Sequence, residues 1–367
     1  MAKYSEAFQR SNPQTQIVYI TYPNSEFIKQ ISLDSKLNLG PDLVIVRGIN
    51  GILSRDLLTK KIITTLPDEK YFNAIYNTQI QYTAKDNGNY SFAPLVINAQ
   101  LACFNNTKIK QSPETIQGLE ALSARGHKIG ISSDPFSLLW TAGTQGAITE
   151  ISSIGNQITG DQQKYPAIQA WLKWLHKAAL YQNIIFEPND LLLKNFKDKK
   201  LDWITCWGDQ FEDLKNKLGS TLSIAALPNG SQSKASPAIQ TFGFALGKNS
   251  SQSQRRMALK YIKTTVNTIA QRKLQLGDTG FLAANQSVSI PPESSKKLNT
   301  LNTALTEQHN YYSKEWPGVY RWLGLRKKDT QSLVKRYQKL SSAFSELTNG
   351  YLNVDEAYKI ITSTITN

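Results

Sequence analysis

The chain is poor in the residues from which metal and redox sites are built: its 367 residues include 2 cysteines, 2 methionines and 3 histidines. Two cysteines are too few for a disulfide framework or a cysteine-rich zinc module. His127, His176 and His309 are too far apart in sequence to suggest a histidine-rich metal site. No stretch approaches the ~18 uninterrupted apolar residues that a membrane-spanning helix needs. Also missing are a GxGxxG turn after a strand, a P-loop, and the HExxH, CxxC and GxSxG signatures. Carboxylates such as Asp209 and Glu212 occur at helical spacing, which reads as a solvated pair rather than a glycosidase acid/base couple. No enzyme activity, cofactor or metal is expected.

Hydrophobic residues make up 40% of the chain and aromatics 10%, enough to bury a core and to exclude wholesale disorder. At ~150 residues per domain the length predicts about two domains. The net charge of +14 raises the question of nucleic acid. The bases are scattered, however, with the densest groups at Lys197 to Lys200, Arg255-Arg256, Arg326 to Lys328 and Lys335-Arg336. Without an accompanying basic-aromatic motif they read as solvated helix faces, and no nucleic-acid partner is expected.

Helix and strand patterns alternate along the chain, which predicts an α/β fold with a largely parallel sheet. A short helix ends at Asn12-Pro13, and a strand is expected over Thr15–Tyr22. A helix near residues 24–36 and a buried strand over Asp42–Val46 follow. Pro113–Leu122 reads as a Pro-initiated helix and Lys128–Ser132 as the next strand. Residues 165–182 place Ile168, Trp171, Leu172, Leu175 and Ala179 on one helical stripe. One amphipathic helix over 253–275 is expected to turn Ala258, Ile262, Val266 and Ile269 inward. Pro228–Pro237 is the expected flexible loop. Gly350 ends a C-terminal helix, and Asn353-Val-Asp-Glu356 has the spacing of a capping box for the last one. Cys103 and Cys206 fit two buried thiols in one sheet or a disulfide between neighbouring strands. Tyr311-Tyr312 is similar to the adjacent tyrosines of ferric-ion-binding proteins, but iron is not expected.

Taken in order, these elements resemble the carbohydrate-binding family of extracellular solute-binding proteins of ABC importers, which includes maltose- and trehalose-binding proteins. The segments that carry the resemblance are Phe8–Pro13, Gly40–Val46, Tyr90–Asn105, Ser112–Ile116, Phe196–Trp207, Phe242–Ser250, Gly280–Ala284 and Gly350–Ala357. The pattern departs at Ile116, where the family has Trp, at Lys199, where it has Gly, and at Gln240-Thr241, where it has a glycine pair. The resemblance implies a two-lobed periplasmic-binding-protein fold of type II, with a hinge and a central ligand cleft. Lobe one would hold residues 1–96 and 242–295, and lobe two 97–241 and 296–367. The protein would be a monomer that captures a sugar-like solute by hinge closure and delivers it to ABC permease subunits. Its expected place is the periplasm or the outer face of the cytoplasmic membrane, with a leader already removed, since no hydrophobic run follows Met1-Ala-Lys.

Carried over residue by residue, the resemblance places Arg47 and Asn50 at the cleft in lobe one. Asn98 stands where an Asp often bonds sugar hydroxyls, and Trp207 where a Trp stacks on a ring. Asp209 sits two residues further on, Phe242 replaces an aromatic, and Tyr312 is placed near the cleft. Trp171 and Trp174 read as core instead. Arg47 and Asn98 occupy positions that are commonly acidic, which leaves room for an anionic solute such as glycerol 3-phosphate or glucosylglycerate. A sensor or interaction protein built on the same fold is a further alternative, prompted by the chain starting directly at the first helix where the family has a preceding strand.

Overall fold

Aliphatic and β-branched runs become strands where a neighbouring strand takes up their backbone hydrogen bonds. The computed structural model describes residues 2–23, 26–48, 52–157, 164–180, 184–277, 280–291, 293–325 and 330–363. Asn50 therefore lies outside the described residues. The strands are β1 (Leu43–Gly48), β2 (Ile63–Thr64), β3 (Lys85–Asp86), β4 (Asn89–Tyr90), β5 (Ala93–Asn105), β6 (Ile129–Ser132), β7 (Ile184–Glu187), β8 (Trp203–Trp207), β9 (Leu222–Ala225), β10 (Ile239–Gly247) and β11 (Leu282–Ala283). The chain divides into two units, one of residues 1–97, 240–277 and 282–289, the other of 98–239, 278–281 and 290–367. Two of the divisions fall inside the long strands β5 and β10.

In the first unit β10 pairs antiparallel with β1 and β2, and β11 pairs antiparallel with β5. Tyr261, on the helix Gln252–Val266, meets Phe8 of the helix Ala2–Ser11 and Phe244 of β10 edge-on, with ring centroids 5.2 and 5.4 Å apart. Those contacts pack the helix Gln252–Val266 on β10 and the helix Ala2–Ser11 against it. A second cluster joins Phe72, Tyr76 and Tyr90, and all three side chains are buried.

In the second unit β6 pairs parallel with β7 and β8, while β5 pairs antiparallel with β8 and β9. The sheet is thus mixed rather than largely parallel. A parallel pair needs a crossover connection, and β6 has one on each side. Strand β5 instead takes its neighbours from distant parts of the chain, so no βαβ unit fixes its direction. Helix Pro166–Leu180 buries Ile168, Trp171, Leu172, Trp174 and Leu175, and Ala178 rather than Ala179. Trp171 donates its indole N–H to Thr141 Oγ1 at 2.8 Å. Trp140, Trp316 and Trp322 are also buried, which makes all three core residues.

Cys103 on β5 and Cys206 on β8 are joined by a disulfide, with Cα atoms 5.8 Å apart and both residues buried. Of the two sequence readings, the covalent one holds.

Four local expectations change. Thr15–Tyr22 forms no strand, and Val18, Tyr19 and Ile20 are exposed. An apolar pattern cannot make a strand without a partner for its backbone, and no described strand pairs with this segment. The helix expected from Pro113 begins at Ile116, because Thr115 is the cap that accepts from Gly118 N at 3.2 Å. The helix expected over 253–275 is two helices, Gln252–Val266 and Thr268–Leu276. Asn267 between them is extended (φ −70°, ψ 161°) and accepts from Ala270 N to start the second, which leaves Ile269 outward. Pro228–Pro237 is pinned rather than loose: Asn229 bonds the backbone of Glu114 and Ile116, and Ala235 and Ser236 are buried. At the C-terminus Gly350 takes φ +76° after the helix Thr330–Thr348. Asn353 and Glu356 close the capping box of Val354–Thr362.

Candidate functional site

Of the residues named from sequence, Arg47 and Phe242 meet in the first unit, and Asn98, Trp207 and Asp209 share one strand-end turn in the second. In the first unit β1 and β10 run antiparallel with Arg47 opposite Phe242, so both side chains stand on one face. The Arg47 guanidinium carbon lies 5.9 Å from the Phe242 ring centroid, within reach of a cation–π contact. Arg47 is exposed and Phe242 half-buried. The pair offers a planar five-donor fork beside an apolar plate, which suits a hydroxyl-rich or anionic group with an apolar face.

In the second unit β5 and β8 place Gln100 opposite Trp207. Two residues before Gln100 and two after Trp207, Asn98 and Asp209 bond each other reciprocally. Asn98 Nδ2 donates to Asp209 Oδ1 at 2.9 Å, and Asp209 N donates to Asn98 Oδ1 at 3.2 Å. Asn98 is fully buried, whereas Asp209 is exposed. Asn98 is therefore a holder of the turn Gly208–Gln210, on which Asp209 is exposed. The amide fits that turn because it donates and accepts at once, which an ionised Asp in its place could not do.

Two further contacts fix the same turn. Trp207 N donates to Gln210 Oε1 at 2.9 Å. Gly208 and Gly280 cross backbone to backbone: a Cβ on Gly208 would stand 2.3 Å from Gly280 O, and one on Gly280 would stand 2.2 Å from Gly208 O. The Trp207 side chain retains only 6% exposure, so most of its ring already touches protein. Gln100 spans from Ser137 O, which accepts from its Nε2 at 2.9 Å, to Ala238 N, which donates to its Oε1.

Glu212, read from sequence as half of a solvated carboxylate pair with Asp209, is engaged elsewhere. It accepts from Lys297 Nζ at 3.1 Å, and the same ammonium lies 4.5 Å from the Phe211 ring centroid. Lys297 and Gln210 escaped the sequence reading because nothing in spacing alone links residue 297 to residue 212.

Tyr312 lies apart from the Asn98–Asp209 group in its bonding. Its hydroxyl contacts Gly143 O at 3.0 Å and Lys234 O at 3.1 Å. Burial, then the neighbouring Tyr311 and Glu315, push that hydroxyl above the usual tyrosine range, so it stays a neutral donor. The adjacent His309 is buried, and its Nδ1 lies 2.8 Å from Pro237 O. A carbonyl only accepts, so Nδ1 carries the proton. Burial pushes this imidazole down to about 3, and it is stacked on Trp316 at 4.3 Å.

Among the described residues no group of three or more His, Cys, Asp or Glu side chains could hold a metal ion. An open groove of about 480 Å³ follows the helix Gln252–Val266 and is lined by Arg256, Lys260 and Lys263. A second of about 490 Å³ is lined by Lys110, Ser112, Glu114, Asn229, Lys296 and Glu307. Neither is lined by Arg47, Asn98, Trp207, Asp209, Phe242 or Tyr312.

No family model matches the sequence, and no curated protein sequence matches it. Solved structures do match in fold. The maltodextrin-binding protein of L. casei BL23, without ligand, is 14% identical, with a TM-score of 0.74 over 100% of this chain and 95% of that one. The GacH receptor of Streptomyces glaucescens, solved unliganded and with acarbose, is 14% identical, with a TM-score of 0.73 over 98% and 92%. UgpB from Mycobacterium tuberculosis, in complex with glycerophosphocholine, is 14% identical, with a TM-score of 0.70 over 98% and 92%. Over nearly its whole length, the chain has the α/β fold of two-lobed solute-binding proteins.

Proposed function

We propose that the chain is the substrate-binding component of an ABC importer and captures a sugar or glucosyl-type solute. The observation that carries this reading is the fold likeness along the full chain to proteins solved with maltose, maltotriose, maltotetraose and acarbose. On this reading residues 1–96 with 242–295 and 97–241 with 296–367 are two lobes that close on the solute, and the closed form engages the permease. Each lobe contributes one group: Arg47 and Phe242 from the first, Asn98, Trp207 and Asp209 from the second. Asp209 accepts from solute hydroxyls, Arg47 donates to solute oxygens, and Phe242 or the edge of Trp207 covers an apolar ring face. Asn98 acts through Asp209, and Tyr312 acts by fixing Gly143 and Lys234. The protein performs no chemistry on the solute, needs no cofactor and works as a monomer outside the cytoplasmic membrane.

A second reading is the capture of an anionic solute such as glycerol 3-phosphate or glucosylglycerate. It is favoured by the exposed Arg47 fork beside Phe242 and by the likeness to a glycerophosphocholine complex.

A thermal-shift screen tests both, with glucose, maltose, trehalose, sucrose, glucosylglycerol, glucosylglycerate and glycerol 3-phosphate as probes. A ligand at ~100 times its dissociation constant stabilises by about 2.7 kcal/mol. A shift from neutral glucosides supports the first reading, one confined to the anions supports the second, and none from any of them counts against both.

A further inference from the structure

The helix Thr268–Leu276 is inverted with respect to polarity. Its inward residues are glutamines: Gln271 Oε1 accepts from Ala284 N at 2.9 Å, and Gln275 Oε1 accepts from Ala283 N at 3.0 Å. Its outward residues include Ile269 at 84% exposure and Leu276 at 61%. Ile269, Arg272, Lys273 and Leu276 follow the i, i+3, i+4, i+7 spacing of one helical face, and all four are exposed. The result is two aliphatic side chains and two cations together on one exposed face.

This face belongs to a strongly basic part of the chain. Between residues 248 and 273 there are seven bases, Lys248, Arg255, Arg256, Lys260, Lys263, Arg272 and Lys273, and no Asp or Glu. The nearby acids include Asp68, bonded to Lys263 at 2.5 Å, the exposed Glu6 on the helix Ala2–Ser11, and Asp278, two residues beyond Leu276 in sequence. Lys260 bonds the neutral Asn12 at 2.6 Å. Among the described residues, Lys263 is the one base of the seven with a carboxylate partner.

We propose that the outward face of Thr268–Leu276, with Arg256 and Lys260 beside it, docks on the surface of an anionic lipid bilayer. Charge complementarity selects an anionic partner, since a second copy would bring cations against cations. The aliphatic pair selects lipid over an acidic polypeptide. Ile269 and Leu276 stand exposed on this face, and flanking Lys and Arg suit the depth at which headgroup phosphates lie above acyl chains. The inference concerns none of the proposed solute residues and does not depend on the identity of the solute.

The test is co-sedimentation of the whole chain with vesicles of phosphatidylcholine alone or mixed two to one with phosphatidylglycerol, at low and high salt. Binding is expected only with phosphatidylglycerol, and high salt should weaken it. Each base removed from the contact should lower partitioning about fivefold, so Arg272→Ala with Lys273→Ala should lower it roughly 25-fold. Ile269→Ser with Leu276→Ser should also lower it. These side chains are exposed, so unchanged circular dichroism will separate lost binding from lost folding. The control pair Lys199→Ala with Lys200→Ala, exposed on the other unit, should bind as the parent does. No sedimentation with the anionic vesicles would overturn the proposal, as would saturable binding to poly-glutamate in its place. Equal losses from the control pair, or full binding by the Ile269/Leu276 variant, would also overturn it.

Discussion

The disulfide gives the account its firmest thermodynamic prediction. It joins β5 to β8 across 103 residues of sequence. In the chain-entropy model a cross-link over a loop of about 100 residues stabilises by roughly 4.7 kcal/mol at 25 °C, by restricting the unfolded chain. Both cysteines are buried, so reductant reaches them only when the unit opens. For a unit of about 150–250 residues each kcal/mol corresponds to about 2–4 °C, which predicts a melting transition lower by roughly 10–20 °C in the Cys103→Ala/Cys206→Ala double variant. The assay is calorimetric or circular-dichroism melting of the parent and the double variant, with thiol titration of the parent under denaturing conditions. The parent should show no free thiol and the larger stability. Two titratable thiols in the parent, or equal melting of the two proteins, would refute the argument.

Three more outcomes follow from the geometry. His309 is held neutral in the fold, since burial pushes it down to about 3 from its ordinary 6.5. The unfolded chain therefore binds the extra proton first, and stability is unaffected above about pH 6.5 but falls as pH drops toward 3, by up to roughly 5 kcal/mol. In His309→Asn, which keeps a donor for Pro237 O, urea midpoints measured between pH 7 and 4 should depend less on pH; an unchanged slope would contradict the assignment. Asn98→Ala removes both bonds that hold Asp209 and should cost about 1–3 kcal/mol of stability, as well as weakening solute binding; affinity equal to the parent's would detach Asn98 from the site. Trp207→Ala should cost about 3–5 kcal/mol in folding, because the ring is buried. Trp207→Phe is therefore the better probe of stacking, and its solute affinity should fall while melting changes little.

Legibility in the sequence followed the range of the interactions. The stripe on Pro166–Leu180, the capping box at Asn353 and Glu356, and the β1 run rest on residues a few positions apart, so local pattern sufficed. Thr15–Tyr22 has the composition of a strand, but pairing is non-local, and no described strand pairs with it. A helix normally buries its aliphatic residues, which by pattern alone turns Ile269 inward. Here the buried glutamines are satisfied by the backbone of Ala283 and Ala284, a partnership no helical period encodes. The pairs Arg47/Phe242 and Asn98/Asp209 came from resemblance, one residue at a time. Their meeting depends on the register of antiparallel strands 195 and 111 positions apart in sequence, and spacing does not show it. The same register opposes Gln100 to Trp207, and Gln100 had no motif to mark it.

The most direct test of the central claim is an isothermal titration of the purified chain with the solute that shifts its melting most. The account predicts saturable binding with one site per chain, weakened at least tenfold, or about 1.4 kcal/mol, by Arg47→Ala and by Asp209→Ala without loss of folding. Absence of saturable heat from every sugar and polyol phosphate offered to the folded protein would contradict it, as would binding that both variants leave unchanged.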